Sequence, residues 1–408
     1  MTKQREFWLL LTLAGIQFST ILDFMIMMPL GPQFTLLFGI SDAQFGLLVS
    51  VYMLAAGLSS LVAAFFIDRF GRKRLLLVLY AGFGMSAVAC ALAPTFALLM
   101  GARVCAGAFG GVMASMGQTI VGDVIPFERR GRAMSLIMTA FSVASVAGLP
   151  AGLWLAAHWS WHAPFIAIAL LCAVLGVFAA FTLPPLEGHL HQGAQESAWA
   201  RIRAVLADAN HRKAFLYTAA LMFAGFTLFP FLAINAQYGI GLAPTQIPYL
   251  YLCGGLGTLL TARFIGHLTD RWGKVQSLRL LATLSIVPVF GITLLPYGTP
   301  FGLVLVVFAI FMVFMSGRNI PGMAIVTSAA NPRLRGTFMT LNSSVQSASM
   351  GLASMVGGLL MRRDSAGHVQ DFWLNAVVTF AATLLVLWLV GRIDLHQNTP
   401  ANEPKNEK

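Results

Sequence analysis

Asp68-Arg69-Phe70-Gly71-Arg72-Lys73 returns as Asp270-Arg271-Trp272-Gly273-Lys274, 202 positions later, and both copies interrupt long apolar runs from which charge is nearly absent. Two more matches stand at a similar offset. Arg130-Gly131-Arg132-Ala133-Met134 answers to Arg335-Gly336-Thr337-Phe338-Met339, and Gly148-Leu149 to Gly351-Leu352. A short charged loop copied between apolar segments marks a chain whose second half repeats its first.

Those segments belong in a bilayer. Of the 408 residues 58% are hydrophobic and only 10% charged, far outside the usage of soluble domains. Mean hydropathy is +0.78. Crossing a hydrocarbon core of roughly 30 Å takes about 20 apolar residues as a helix, and the runs meet that length without the alternation of a membrane barrel. Spans are predicted at 7–31, 44–67, 75–93, 96–120, 134–157, 163–183, 214–237, 246–267, 277–296, 301–329, 337–360 and 372–391. Pro29, Gly31 and Pro32 close the first, a capping box of Ser41 and Gln44 opens the second, and Pro94, Pro164 and Pro300 stand near other span starts. Met1–Glu6 leads straight into a stretch too long for a signal-peptide core, so it reads as the approach to the first span. The expected fold is an all-α integral membrane protein of twelve transmembrane helices, arranged as two pseudo-symmetric six-helix bundles.

Twelve crossings put both termini on one side. Of 26 Lys and Arg residues about 21 fall in the termini and the alternate loops on that side, while Arg362 and Arg363 alone lie in loops opposite. The positive-inside rule therefore makes both termini cytoplasmic, and it accounts for the net charge of +11 without nucleic acid. The expected domains are 1–183 and 214–391 for the bundles, 184–213 for a cytoplasmic linker and 392–408 for a cytoplasmic tail. In the linker Trp199, Ile202, Val205 and Leu206 recur at helical spacing beside Arg201 and Arg203, which suits an amphipathic helix on the inner surface or a solvated tether.

Several functions are excluded by absence. Cys90, Cys105, Cys172 and Cys253 all lie in apolar segments and form no disulfide or zinc pattern. None of the eight His residues falls at mid-span, His211 being read as linker, so no metal is expected and no zinc or Ser-His hydrolase. No Gly-x-x-x-x-Gly-Lys-Ser/Thr loop for ATP occurs and no cofactor is implied. A channel stays open as a reading, without repeated rings of charge or a filter sequence to support it. The chain is not expected to be an enzyme.

One acid stands apart. Of the 15 acidic residues only Asp23 lies well inside a span, where an ionised carboxylate costs several kcal/mol and so needs a cavity or a partner. Arg103 is the expected partner, because each lies roughly 11 Å below the same surface at a rise of about 1.5 Å per residue. Such a pair either couples transport to protons, the carboxylate alternating between Arg103 and a proton, or is a permanent tie between the first and fourth spans.

The repeated loops suit an inner latch. Asp68 and Asp270 can accept from the exposed N–H groups of a helix N-terminus, Gly71 and Gly273 permit tight turns, and Arg72 and Arg130 can bridge to acids such as Asp123. A purely topogenic basic loop has the same composition. Gly148, Pro150 and Gly152, with Gly107, Gly111, Gly254, Gly255 and Gly257, allow close helix approach and bending. Polar residues available to a substrate cavity are Gln17, Tyr52, Gln118, Asn235, Arg318, Asn319, Asn342 and Gln346, against 31 Phe and 19 Met. Arg318 either receives an anion or caps carbonyls freed near Pro321.

Over its whole length the chain resembles the major facilitator superfamily. Asp68-Arg69-Phe70-Gly71-Arg72-Lys73 is similar to its signature between helices 2 and 3, with Ala64 where a Gly usually precedes it, whereas the second copy keeps Gly266. Arg103 with Gly107 resembles the next motif. Asp23-Phe24-Met25-Ile26-Met27-Met28-Pro29, followed by Pro32, is similar to a pattern of the twelve-helix drug:proton antiporter branch, and Gly148-Leu149-Pro150-Ala151-Gly152 is a loose form of its antiporter motif, departing from it by Leu between Gly and Pro. The resemblance implies alternating access, with Asp68, Gly71 and Arg72 stabilising the outward-facing state.

The expected function is a proton-coupled secondary transporter in a bacterial inner membrane that exports small amphipathic compounds, with protons, lipid and a small molecule as partners and a monomer as the expected state. Proton-linked movement of a sugar or other metabolite is the second reading, and a non-transporting membrane scaffold a third.

Overall fold

The computed structural model describes residues 3–66, 70–125, 127–183, 198–331 and 334–395. Twelve long helical segments account for most of them. The first six are α1 (Lys3–Met27), α2 (Asp42–Phe66), α3 (Arg72–Ala91), α4 (Phe96–Val124), α5 (Phe127–Val143, a π-turn at Ala144–Gly148, then Leu149–His158) and α6 (His162–Thr182). The second six are α7 (Ala209–Phe226, continuing through shorter turns to Gly239), α8 (Ile247–Trp272), α9 (Lys274–Thr293), α10 (Phe301–Gly317 and Asn319–Ala329), α11 (Arg335–Leu360) and α12 (Phe372–Val390). Within the described residues the β content is a single bridge between Arg363 and Val369.

Helices dominate because a backbone in hydrocarbon must satisfy its own N–H and C=O groups. Ten of the twelve segments are long and apolar enough to cross a membrane, α8 and α11 being the exceptions. Those two are 26 residues each, about 39 Å at helical rise, so length is not what they lack. Polarity sets them apart, and α11 shows why: its small and polar stripe faces α2 and not lipid. A Cβ added to Gly46 would lie 2.6 Å from the Ser354 carbonyl oxygen, and one added to Gly358 would lie 2.6 Å from that of Asp42. Farther along, Gly351 meets Ser50 and Gly57 meets Ser344 in the same way. Small residues let the two backbones touch along most of their length. Gly255 of α8 likewise abuts the Ser145 carbonyl in the π-turn of α5. These seams join α1–α6 to α7–α12.

Helix starts follow local chemistry. The Ser41 N–H donates to Gln44 Oε1 at 2.9 Å and the Gln44 N–H to Ser41 Oγ at 3.2 Å, the reciprocal box expected before α2. Several boundaries differ from the sequence reading, and two have a clear local cause. α1 ends at Met27, and Pro32 opens a separate short helix, Gly31–Leu37, in place of a span running to residue 31. α7 begins at Ala209 and not at 214, because Asp208 caps it by accepting from the Asn210 and His211 N–H groups. His211, read as linker, is therefore in a helix and fully buried, with Phe338 against its ring and its Nε2 accepting from the Asn331 N–H at 3.0 Å. The linker also forms a helix, Ala198–Ala207, which buries Val205 and Ile202 but leaves Trp199 and Leu206 exposed.

Alternation of the helices gives the molecule two ends, one carrying Arg72 and one carrying Arg363. Exposed tryptophans stand near both, Trp8, Trp272 and Trp388 toward the first and Trp154, Trp159 and Trp373 toward the second, as amphipathic rings do at the two faces of a bilayer.

Candidate functional site

Asp23 on α1 and Arg103 on α4 are both 0% exposed. Arg103 Nη1 donates to Asp23 Oδ2 at 2.7 Å. Asp23 Oδ1 and Arg103 Nε have no partner among the described residues, so the pair is joined through one oxygen and one nitrogen. The guanidinium also lies 4.3 Å from the centre of the Tyr52 ring, a cation–π contact that places α2 beside the pair. Gly107 makes this possible: a Cβ there would sit inside van der Waals contact of the Tyr52 carbonyl oxygen, and one at Gly111 would do the same at Ala56. Backbone contact between α2 and α4 therefore sets the height of Tyr52 against Arg103.

Aromatic rings lead away from the pair into the other half. Tyr52 stacks on Phe24 at 5.6 Å, and Phe24 on Phe226 of α7 at 6.0 Å. Phe226 meets Phe229 at 5.8 Å, and Phe229 meets Phe311 of α10 at 5.7 Å. The step from Phe24 to Phe226 crosses between halves.

The sequence-predicted cavity residues separate into groups. Tyr52 belongs to the ion pair. On the second half Asn342 accepts from the Thr218 hydroxyl at 2.7 Å, Gln346 lies 3.4 Å from the Met222 sulfur, and Arg318 donates to Thr383 Oγ1 at 3.2 Å. Gln17 is half-buried on α1. Asn235 is elsewhere, bonded to the Ile292 carbonyl near the Arg363 end. Gln118, like Asp123 and Arg130, has a side chain outside the described residues, and so has Asp68 as a whole.

Of the loop residues, Gly71 precedes α3 and Arg72 is buried in its first turn. Gly273 adopts φ 89°, a left-handed turn between α8 and α9 that needs glycine. Asp270 is exposed in the last turn of α8 and makes no ion pair with another described residue. In α5, Gly148 packs on Leu22 and Phe18 and Gly152 on Ile26, so the Pro150 segment leans on α1 directly after the π-turn.

Sequence reasoning missed a lock at the opposite end. Arg363, in the loop before α12, holds Asp42 of α2 bidentately, Nη2 to Oδ1 at 2.5 Å and Nε to Oδ2 at 2.8 Å. Those hydrogen bonds and the charge of Asp42 raise the guanidinium above its usual pKa. Its other face covers the Tyr238 ring at 4.5 Å, and the Tyr238 hydroxyl donates to the Pro32 carbonyl at 3.4 Å. Phe45 against Phe231 and Gly31 against Ile234 fill the space beneath. The signal lay in Arg362 and Arg363 being the lone basic residues in loops of that side. Breaking the lock by Arg363→Gln is expected to increase maleimide labelling of a Ser50→Cys reporter several-fold, and the swap Asp42→Arg with Arg363→Asp to bring it back down. Equal labelling of all three would show that the seam stays shut without the pair.

Asp364 staples the same loop, accepting from the backbone N–H groups of Ala366 and His368. The His368 N–H, first among the causes, holds its carboxyl below the ordinary value. A depressed acid stabilises above its unfolded pKa, about 3.9, and loses that contribution as pH falls through the lower folded value. Amide exchange at Ala366 and His368 should thus stay slow at neutral pH and accelerate only in strong acid.

Comparison with known proteins agrees with this architecture. The sequence model of the Major Facilitator Superfamily matches residues 13–354 and 214–408. The chain is 24% identical over 349 residues to the uncharacterized MFS-type transporter YtbD of Bacillus subtilis, covering 84% of this chain and 85% of that one. It is 24% identical to the inner membrane transport protein YdhP of Escherichia coli, with 84% and 85% covered. A gallate transporter of Pseudomonas putida is 29% identical over 191 residues, 47% of this chain and 42% of that one. Among solved structures, a bacterial homolog of the human lysosomal transporter Spinster, inward-facing and occupied, superposes with a TM-score of 0.75 at 18% identity, covering 97% of this chain and 98% of the other. Two seams of packed helices, a buried ion pair and a family match spanning the chain lead to one conclusion: this protein belongs to the Major Facilitator Superfamily and is a membrane transporter, not an enzyme.

Proposed function

We propose that the protein is a proton-coupled secondary transporter that exports small amphipathic compounds by alternating access, in the manner of the drug:proton antiporters. The observation that carries this reading is the buried Asp23, bonded through one oxygen to Arg103 beside the aromatic ladder that crosses between halves. A carboxylate that leaves Arg103 inside the membrane must be neutralised, and a proton does so at the least cost. Arg103, freed, turns to the Tyr52 ring or to an acceptor on the substrate. Proton and substrate thereby compete for one pair, which is the requirement for antiport.

Movement is assigned to rocking of residues 1–183 against 214–391. With the basic loops inside, both termini are cytoplasmic, in a bacterial inner membrane, and the Arg363 end faces outward. The Asp42–Arg363 lock then belongs to a form closed to the outside, and the Asp68 and Asp270 loops, with Asp123 and Arg130, act as inner latches. The π-turn in α5 supplies a weak place in the helix where Gly148, Pro150 and Gly152 can bend.

A second reading, proton-linked movement of a small metabolite, is favoured by the match to a gallate transporter. Drug tolerance of cells with and without the protein, set beside a thermal-shift screen of drugs, sugars and organic acids on the purified protein, separates the two. Export predicts greater tolerance and amphipathic hits. No change in tolerance together with a sugar or organic-acid hit overturns it.

A further inference from the structure

We infer that the second half carries a receiving site for a small carboxylate, formed by Arg318, Tyr217 and Thr383 behind Phe226, which holds the acidic end of a planar aromatic solute. This rests on the reading that the interior between the halves is the substrate path.

Arg318 is the second arginine buried inside the spans, at 1% exposure, and its setting is unlike that of Arg103. Arg103 has a carboxylate. Arg318 has no ion pair among the described residues, and its side chain's one hydrogen bond there is the donation to Thr383 Oγ1. Thr383 has already given its own proton to the Thr379 carbonyl at 2.8 Å, so its oxygen serves only as an acceptor. Arg318 Nε is left without a partner, and so is the hydroxyl of Tyr217, also fully buried. A guanidinium offers five N–H donors, and one neutral hydroxyl does not compensate its charge.

A structural role for Arg318 would be to cap a carbonyl. Pro321 lacks an N–H, so the carbonyl it frees four residues back is that of Gly317. Arg318 makes no hydrogen bond to it among the described residues. What lacks a partner among the described residues is a guanidinium N–H and a phenol O–H, and one acceptor brought from outside would serve both. A carboxylate fits: two oxygens, acceptor only, with the planar geometry that guanidinium binds through paired hydrogen bonds.

Glycines keep the walls thin at this place. A Cβ at Gly225 would lie 3.9 Å from Arg318 Nη2, and one at Gly322 would lie 3.3 Å from the Tyr217 hydroxyl. The residue after Gly225 is Phe226, whose ring faces Phe24 at 6.0 Å with 29° between planes. Phe229, whose ring covers Gly225 and meets Phe226 at 5.8 Å, therefore links the cation in want of an anion to a ring stack that crosses between halves. As the halves part, that stack opens to a flat ring, and the ring's carboxylate falls beside Arg318.

Thermal unfolding of the whole protein in detergent, with benzoate, its neutral counterpart benzamide, or chloride at matched concentrations, tests the site without any proton gradient. Benzoate is expected to raise the melting temperature dose-dependently, and benzamide and chloride to do so far less. Arg318→Gln should abolish the benzoate response and Tyr217→Phe should weaken its apparent affinity several-fold, and because no pH gradient is imposed the response is read separately from proton coupling. No benzoate response in the unmodified protein, an equal response to benzamide or chloride, or an undiminished one in Arg318→Gln overturns the assignment. Should Arg318→Gln not fold, an unchanged benzoate affinity in Tyr217→Phe overturns it.

Discussion

Gly107→Val is expected to destabilise the protein by about 3 kcal/mol or more, the upper part of the range for overpacking and backbone clash. Its Cβ alone would press into the Tyr52 carbonyl oxygen, and a carbonyl in a helix cannot swing aside as a side chain can. α2 and α4 must separate, and the separation propagates. Tyr52 leaves the face of Arg103, Phe24 loses its stacking partner, and Gly46 and Gly57 no longer bring α2 against α11. Intrinsic helix propensity pulls weakly the other way, since Val exceeds Gly by only a few tenths of a kcal/mol. Melting in detergent should fall sharply for Gly107→Val, whereas Gly101→Val, at a glycine with open space around its Cβ position, should melt near the unmodified protein. Similar melting of the two would mean that the helices do not meet as closely as described.

The buried pair gives the second large effect, through an asymmetry between its members. Arg103→Met leaves a carboxylate buried without its cation, a loss of about 3–5 kcal/mol. A carboxyl can escape that cost by binding a proton, so the variant should regain much of its stability as the medium is acidified. Asp23→Asn leaves the guanidinium, which cannot shed its proton, but the amide oxygen still accepts from Nη1 and the Tyr52 ring still faces the charge. The expected loss is of similar size, about 3–5 kcal/mol, with no recovery in acid. Melting of both variants across pH checks this. Recovery of Asp23→Asn in acid, or none for Arg103→Met, would contradict the account.

Rarity made the pair legible. In spans almost free of charge, one acid and one arginine at matched depth point to each other, and counting residues from the span ends was enough to place both. The twelve helices were legible for the same reason, because apolar length and basic loops are coarse signals that survive errors of several residues at the ends. The beginning of α7 was not, since Arg212 and Lys213 read as polar linker when they lie in the opening turns of a helix capped by Asp208. Nor was the seam between α2 and α11: Ser344, Ser354, Gly351 and Gly358 become contacts only once two helices far apart in sequence are side by side. The Asp42–Arg363 lock was hidden by its position, one partner in a first helical turn and the other in a loop, where a charge needs no explanation until its distance is known. Arg318 was visible as a buried cation, but its lack of a carboxylate is a statement about three dimensions.

The central claim is that Asp23 and Arg103 couple transport to protons. Its most direct test is transport in proteoliposomes of a compound found in the thermal-shift screen, with and without an imposed pH gradient, for the unmodified protein and Asp23→Asn. The account predicts that the gradient drives accumulation in the first, and that Asp23→Asn, still folded and still binding the compound, moves it only down its own concentration gradient. Transport by Asp23→Asn that keeps its full response to the pH gradient would contradict it.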